Sequence, residues 1–310
     1  MTPTRVGVAG LGLIGGSIAR RLAEFPDLFE PIGFDIQQRP RGGLITVESV
    51  EQLAREAELV VVAVPPETTA AVTAAVLAAD QNVLVTDVAS VKAPIMEELG
   101  PHRRYLPSHP LAGSETAGWS AARAELLQGA TWAICPPAAD APPELLCRWA
   151  EVFDAFDARL LVCDPAEHDM AVARTSHVPH VVATALAASI AGQRSPRLVA
   201  AVSGGSFREI ARVASSDPAL WSKIIELNQD NVAHVLDELR EALAGPSDWD
   251  QSREMAALVR ELRWELLTWE RREFNWPAWD DLLVLGSQGV AIRRPRIEGE
   301  RLSADVAVRS

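Results

Sequence analysis

A short β-branched run, Arg5–Ala9, opens directly into Gly10-Leu11-Gly12-Leu13-Ile14-Gly15-Gly16-Ser17, and a helical pattern through Ile18, Leu22 and Phe25 follows. The spacing is GxGxxG, and its place between a strand and a helix gives it meaning. Gly10 permits a tight turn, Gly12 lets backbone amides approach a pyrophosphate, and Gly15 lets the helix pack close to the strand. The helix N-terminus is then aimed at an anion, with Leu13 and Ile14 in its first turn. The next strand pattern, Pro31–Asp35, ends in an acid twenty residues after Gly15. A carboxylate there accepts hydrogen bonds from a ribose 2′-hydroxyl and repels a 2′-phosphate, so the sequence points to NAD rather than NADP. Arg39 is either a phosphate partner that would favour NADP or, with Arg41, part of a solvated turn.

From Arg5 to Cys163, strand patterns alternate with helical ones: Leu59–Val64, Val83–Asp87, Tyr105–Ser108, Thr131–Cys135 and Arg159–Cys163 follow the two already named. That order predicts an α/β domain of Rossmann type, a parallel sheet covered by helices. Val64-Pro65 then falls in a loop at the carboxyl end of the sheet, where such folds place their ligands. After Asp164-Pro165 the β-branched runs give way to helical spacing over Glu167–Ala191, Pro218–Ala244 and Trp249–Phe274. Ser216-Asp217-Pro218 is a helix start and Gly245-Pro246 a stop. Apolar residues of these helices, among them Trp221, Leu236, Leu239, Leu243, Trp264 and Leu267, exceed what one small domain covers. Pairing across a two-fold axis, as a homodimer, is the expectation. Residues 286–310 return to alternation and suggest a hairpin. The expected division is a dinucleotide-binding domain at 1–165, an all-helical dimerisation domain at 166–285 and an extension at 286–310.

Twenty-nine Lys and Arg against 42 Asp and Glu give a net charge of −13 over 310 residues. This acidic balance repels phosphate backbones and anionic membranes, leaving a small molecule as the expected ligand. The longest apolar runs are too short to span a bilayer, and the N-terminus enters a strand at once, which together suggest a cytoplasmic protein. Cys135, Cys147 and Cys163 match neither a disulfide framework nor a metal half-site and read as buried thiols; no metal is expected.

Six histidines occur, and three have informative surroundings. His109 follows the strand pattern Tyr105–Ser108 and precedes a loop, Pro110–Glu115, that would overhang a nicotinamide. His177 and His180 lie three apart on one face of a helix, with Pro179 between them as an expected kink.

Five blocks in order resemble the prephenate dehydrogenase family: Gly10–Ser17, Asp87-Val88-Ala89-Ser90-Val91-Lys92, His109-Pro110-Leu111-Ala112-Gly113-Ser114-Glu115, Ser176-His177-Val178-Pro179-His180 and Gly205–Pro218. The resemblance implies NAD(P)-dependent oxidative decarboxylation of prephenate to 4-hydroxyphenylpyruvate, on the way to tyrosine. It also implies roles. His109 is the base or acceptor for the ring hydroxyl, and Ser90 orients it beside the nicotinamide ribose; the plainer reading of Ser90 is a helix cap. Arg212 grips a substrate carboxylate and His180 is a second substrate-binding position. Ser114 lies in the substrate loop, and His177 positions its helix or hydrogen-bonds nearby backbone. Glu115 and Glu209 surround the arginine as acidic residues, and Trp221 either walls the pocket or belongs to the core.

Loss of hydride from C4 and of CO2 from C1 of prephenate creates an aromatic ring, so the chemistry needs a base, a nicotinamide and cations for two carboxylates. The chain departs from the family pattern at Glu209, Ala211 and Ala89, where Asp, Thr and Gly are common. These changes bear on the substrate rather than on the reaction. Arogenate or an amino-substituted prephenate is therefore the alternative substrate, and a non-catalytic dinucleotide-binding protein is the alternative of another class. A β-hydroxyacid-type dehydrogenase would place a lysine on the helix Glu167–Ala191, which has none.

Overall fold

The structure is a computed structural model that describes residues 2–37, 42–114, 116–136, 142, 144–192, 194–245, 249–261, 267–275, 278–298 and 301–308. Arg39, Arg41, Glu115 and Trp264 lie outside the described residues.

The first sheet contains β1 (Thr4–Ala9), β2 (Phe29–Phe34), β3 (Ile45–Thr46), β4 (Leu59–Val62), β5 (Leu84–Asp87) and β6 (Tyr105–Leu106), in the order β3-β2-β1-β4-β5-β6. Every pairing in it is parallel. Its connecting helices are α1 (Leu13–Leu22), α2 (Val50–Glu56), α3 (Pro66–Ala79) and α4 (Ala93–Leu99). β4 is buried throughout because successive residues feed different cores: Leu59 and Val61 pack with Val6 and Val8 on one face, and Val60 and Val62 with Leu53 and Val76 on the other. Pro66 in the first turn of α3 and the Ser49 hydroxyl, which accepts from Gln52 N at 3.1 Å at the start of α2, explain where those helices begin.

The expected strand Tyr105–Ser108 is split. Pro107 has no N–H for the ladder; β6 ends before it, and β7 (Ser108–Pro110) starts a second sheet. That sheet continues through β8 (Thr131–Ile134) and β9 (Arg159–Val162), with α5 (Glu144–Arg148) and α6 (Ala150–Ala155) between them.

The helical half begins with α7 (Pro165–Val172), whose Asp164 cap accepts from Ala166 N and Glu167 N at 2.8 and 3.1 Å. A π turn at Ala173–His177 leads into α8 (Val178–Ala191). This wide turn replaces the simple kink expected at Pro179: Val178 N–H bonds Ala173 O, five residues back, immediately before the residue that has no N–H. Next come α9 (Pro196–Ala201), α10 (Gly205–Ala214), α11 (Pro218–Leu227) and α12 (Gln229–Ala244). Asp217 caps α11 as expected, accepting from Ala219 N at 2.9 Å. The single long helix Pro218–Ala244 is instead broken at Asn228, whose side chain is engaged elsewhere.

The helix expected over Trp249–Phe274 is a second correction. α13 covers Trp249–Glu261, whereas Thr268–Phe274 is strand β10. Thr-Trp-Glu-Arg-Arg-Glu-Phe places four consecutive charged residues between two aromatics and has no clear period of its own, and pairing with a later strand makes it a strand. After α14 (Trp279–Ser287), β11 (Ile292–Glu298) and β12 (Arg301–Val308) form the antiparallel hairpin expected in 286–310. It is not a free appendage: the second sheet runs β10-β12-β11-β9-β8-β7, and Phe274, Trp279, Leu302 and Val306 share a core with Val6, Ile18, Trp132 and Phe153. The chain thus returns from its helices to finish a sheet begun before them.

Candidate active site

The crevice at the carboxyl end of the first sheet lies where β1 has β2 on one side and β4 on the other. Gly10 has φ +93°, and a Cβ there would fall 2.4 Å from Ala63 O; a Cβ on Gly15 would fall 2.0 Å from Gly10 O. Both glycines are required by the turn itself. Gly12 differs: a Cβ there meets nothing within 4 Å, so its bareness keeps space open before α1, whose first turn has no side-chain cap. Asp35, just past β2, is held against this turn, accepting from Leu11 N at 2.8 Å and Gln37 N at 2.7 Å. Val64 lies beside this turn, its Cγ1 3.1 Å from where a Cβ on Gly10 would stand, and Pro65 immediately precedes α3. The open cradle at Gly12, the uncapped helix and the carboxylate fit a dinucleotide.

His109 sits in β7 beside the carboxyl end of β5, because the Ser108 hydroxyl donates to Asp87 O at 2.6 Å. Its Nδ1 is 3.0 Å from Nε2 of His168, with the two rings nearly perpendicular at 80°. His168 Nδ1 is 2.8 Å from Asp169 Oδ1. The Asp169 carboxylate also accepts two backbone bonds at 2.8 Å, from Lys92 N and from Ala93 N at the start of α4. Burial, then His168, Lys92 and His177, hold the His109 pKa well below the ordinary imidazole value.

Beneath this row lies a buried polar cluster. Lys92 forms an ion pair with Asp87 and donates to Ser108 O at 2.8 Å; the Tyr105 hydroxyl donates to the same carboxylate, and Ala89 N reaches it at 2.8 Å. Burial first, and then Asp87, push the Tyr105 pKa well above its ordinary value.

Asn228, at the break between α11 and α12, donates from Nδ2 to Asp169 O at 2.8 Å and reaches His177 Nδ1 at 3.0 Å. His177 Nδ1 is therefore an acceptor and Nε2 carries its hydrogen, a buried donor with no partner among the described residues. Burial pushes the His177 pKa down to about 4. Trp221 lies edge-on to His177 and stacks on His180, with centroids 3.4 Å apart and planes 18° apart. It thus joins the two histidines. His180 Nδ1 donates to Ser176 O at 2.8 Å; burial lowers its pKa, and the nearby Arg212 charge lowers it further.

Not every expected residue converges. Ser90 is half-buried and makes no hydrogen bond to His109 among the described residues; His168 holds the position the sequence reading gave to Ser90. Arg212 lies within electrostatic reach of His180, but its exposed side chain pairs with Glu209 at 3.1 Å. The Ser114 hydroxyl is 2.9 Å from that of Thr116. His168, Asp169 and Asn228 were given no role in the sequence reading. The adjacent His-Asp pair in the first turns of a capped helix was the available signal. Of the thiols read as buried, Cys135 is, whereas Cys147 and Cys163 are half-buried. Among the described residues no group of three or more His, Cys, Asp or Glu is placed to hold a metal, and no helix is long and apolar enough to cross a membrane.

Residues 36–162 match the family model of the prephenate dehydrogenase nucleotide-binding domain, and residues 164–264 that of the prephenate dehydrogenase dimerization domain. The glycine turn precedes the first match and rests on its own geometry. A cyclohexadienyl dehydrogenase from Zymomonas mobilis is 34% identical over 246 residues, 75% of this chain and 83% of that one. A prephenate dehydrogenase from Bacillus subtilis is 30% identical over 245 residues, 74% of this chain and 66% of that one. Among solved structures, Synechocystis arogenate dehydrogenase superposes with a TM-score of 0.64 at 25% identity, covering 92% of this chain and 98% of that one. A Rossmann-type crevice, a histidine row beside it and these matches together show that the chain belongs to the prephenate dehydrogenase family of oxidoreductases.

Proposed function

We propose that the chain oxidises prephenate to 4-hydroxyphenylpyruvate and CO2 with NAD as acceptor, acting as a homodimer. The observation that carries this reading is His109, an imidazole kept neutral by burial, with one nitrogen committed to His168 and Nε2 without a partner among the described residues. Bound NAD supplies a hydride acceptor at C4 of the ring. Nε2 of His109 takes the proton of the C4 hydroxyl as its O–H bond breaks, which favours departure of the C4 hydrogen as hydride. The C1–CO2 bond breaks with its electron pair entering the ring, and the new phenolate oxygen recovers the proton, so no net proton is consumed. His177 Nε2–H offers a hydrogen bond that nothing among the described residues satisfies, and Arg212, beside His180, offers positive charge and donors for a carboxylate.

Asp35 favours NAD: its carboxylate, fixed by Leu11 and Gln37, would repel a 2′-phosphate. Pairing of two copies is supported by the small core of the helical half, Ala173, Val178, Val232 and Val235, beside exposed Leu198, Val202, Leu243 and Val259. One observation favours a second substrate, arogenate: the Glu209 carboxylate beside Arg212 could receive an ammonium where prephenate has a keto group. Comparing kcat/KM for prephenate and arogenate, each with NAD and NADP, tests the reading. A preference for prephenate with NAD is expected, and the absence of prephenate turnover overturns it.

A further inference from the structure

We infer that His168 and Asp169 are positioning residues that fix the tautomer of His109, one carboxylate setting two imidazoles in series. The inference rests on His109 being the base. An ionised carboxylate only accepts hydrogen bonds, and Asp169 already receives Lys92 N and Ala93 N. His168 Nδ1, 2.8 Å from Asp169 Oδ1, must therefore carry a hydrogen. In neutral His168 the lone pair is then at Nε2, so His109 Nδ1, 3.0 Å away, must be the donor. The lone pair of His109 is left at Nε2. This tautomer accepts the substrate proton; the opposite one presents an N–H and cannot.

The geometry adds a second role to the same carboxylate. Asp169 stands on α7, in the helical half, while Lys92 and Ala93 begin α4 in the nucleotide-binding half. Its backbone oxygen is held by Asn228 at the α11–α12 break. Seating of the helical half on the sheet therefore carries His168 to His109, so the base is in its active form only when the two halves are docked. When His109 takes a proton, its Nδ1–H still donates to His168 and the Asp169 charge lies two hydrogen bonds away. The new cation is thereby favoured over one facing a neutral side chain. The proton itself stays on His109.

Five further charged or titratable groups lie around this row: Lys92 is paired with Asp87 below it, His177 lies beyond Asn228, and His180 feels the Arg212 charge. None offers His168 Nδ1 a competing acceptor among the described residues.

The test combines kinetics of three variants with 15N NMR of the histidine side chains of the full chain. Wild-type His109 is expected as the Nδ1–H tautomer, a readout that needs no turnover and so survives a wrong substrate. H168F, which removes the acceptor, should lower kcat about a hundredfold with the Kd for NAD changed less than about threefold. H168Q keeps a carbonyl that can accept from His109 and an amide that can donate to Asp169, and should stay within about tenfold of wild type. D169N should shift His109 toward the Nε2–H form and lower kcat about a hundredfold. An Nε2–H tautomer in the wild type, an H168F variant as fast as wild type, or an H168Q variant as slow as H168F would each overturn the inference. If prephenate is not turned over while the Nδ1–H tautomer is seen and is lost in D169N, the substrate reading fails and the positioning role stands.

Discussion

Lys92 and Asp87 form an ion pair in which neither side chain has any solvent exposure, directly under the strand that carries His109. Four residues separate them, at the end of β5 and the start of α4, so the pair closes the loop that contains Ser90. Its removal should be costly in an asymmetric way. K92M leaves Asp87 buried beside Tyr105 without its cation and should destabilise the fold by about 3–5 kcal/mol, whereas K92M/D87N should regain most of that. Chemical denaturation of the two variants checks this; equal losses would show that the charge itself is unimportant.

The acid limb of kcat/KM should lie below pH 6.5. In the proposed role His109 acts unprotonated, and burial together with His168 and Lys92 lowers its pKa, so activity should hold at pH 6.5 and fall only as the medium becomes more acidic. A pH profile with prephenate and NAD reads this directly. A limb centred at or above pH 6.5 would contradict the burial argument.

His177 ties stability to pH. Its folded pKa of about 4 lies below the ordinary 6.5, so the unfolded chain binds the extra proton first. The contribution is fully present above pH 6.5, is lost as pH falls toward 4, and amounts to about 3 kcal/mol in total. Unfolding free energies across that window should show the slope in the wild type and a shallower one in H177Q.

The glycine turn separates a folding role from a binding role. G15A drives a methyl into Gly10 O and should compromise the fold, measured as a lowered melting temperature. G12A enters open space, so its melting temperature should match wild type while NAD affinity falls at least about tenfold. A G12A variant that binds NAD normally would place the pyrophosphate elsewhere.

Much of this architecture is legible in the residues because local chemistry specifies it. The strand–glycine–helix turn, the acid ending β2 and the Asp217-Pro218 start all report physics confined to a few neighbours. Features decided at a distance are not legible. Pro107 breaks a strand because a different sheet receives Ser108, and Asn228 interrupts a helix because its amide reaches Asp169. Thr268–Phe274 has no clear period of its own, and only its pairing with β12 makes it a strand. The candidate site divides the same way. His109 stands in a readable segment, but its partner His168 lies 59 residues on, and the family resemblance pointed to Ser90 instead.

In the proposed reaction His109 removes the hydroxyl proton of prephenate while NAD is held in the adjacent crevice. Its most direct test follows reduced nicotinamide absorbance with prephenate and NAD for wild type and H109N, alongside NAD affinity by calorimetry. Turnover by the wild type and a loss of roughly a hundredfold or more in H109N are expected, with unchanged NAD binding. An H109N variant as active as wild type, or a wild type that binds NAD and leaves prephenate untouched, would contradict it.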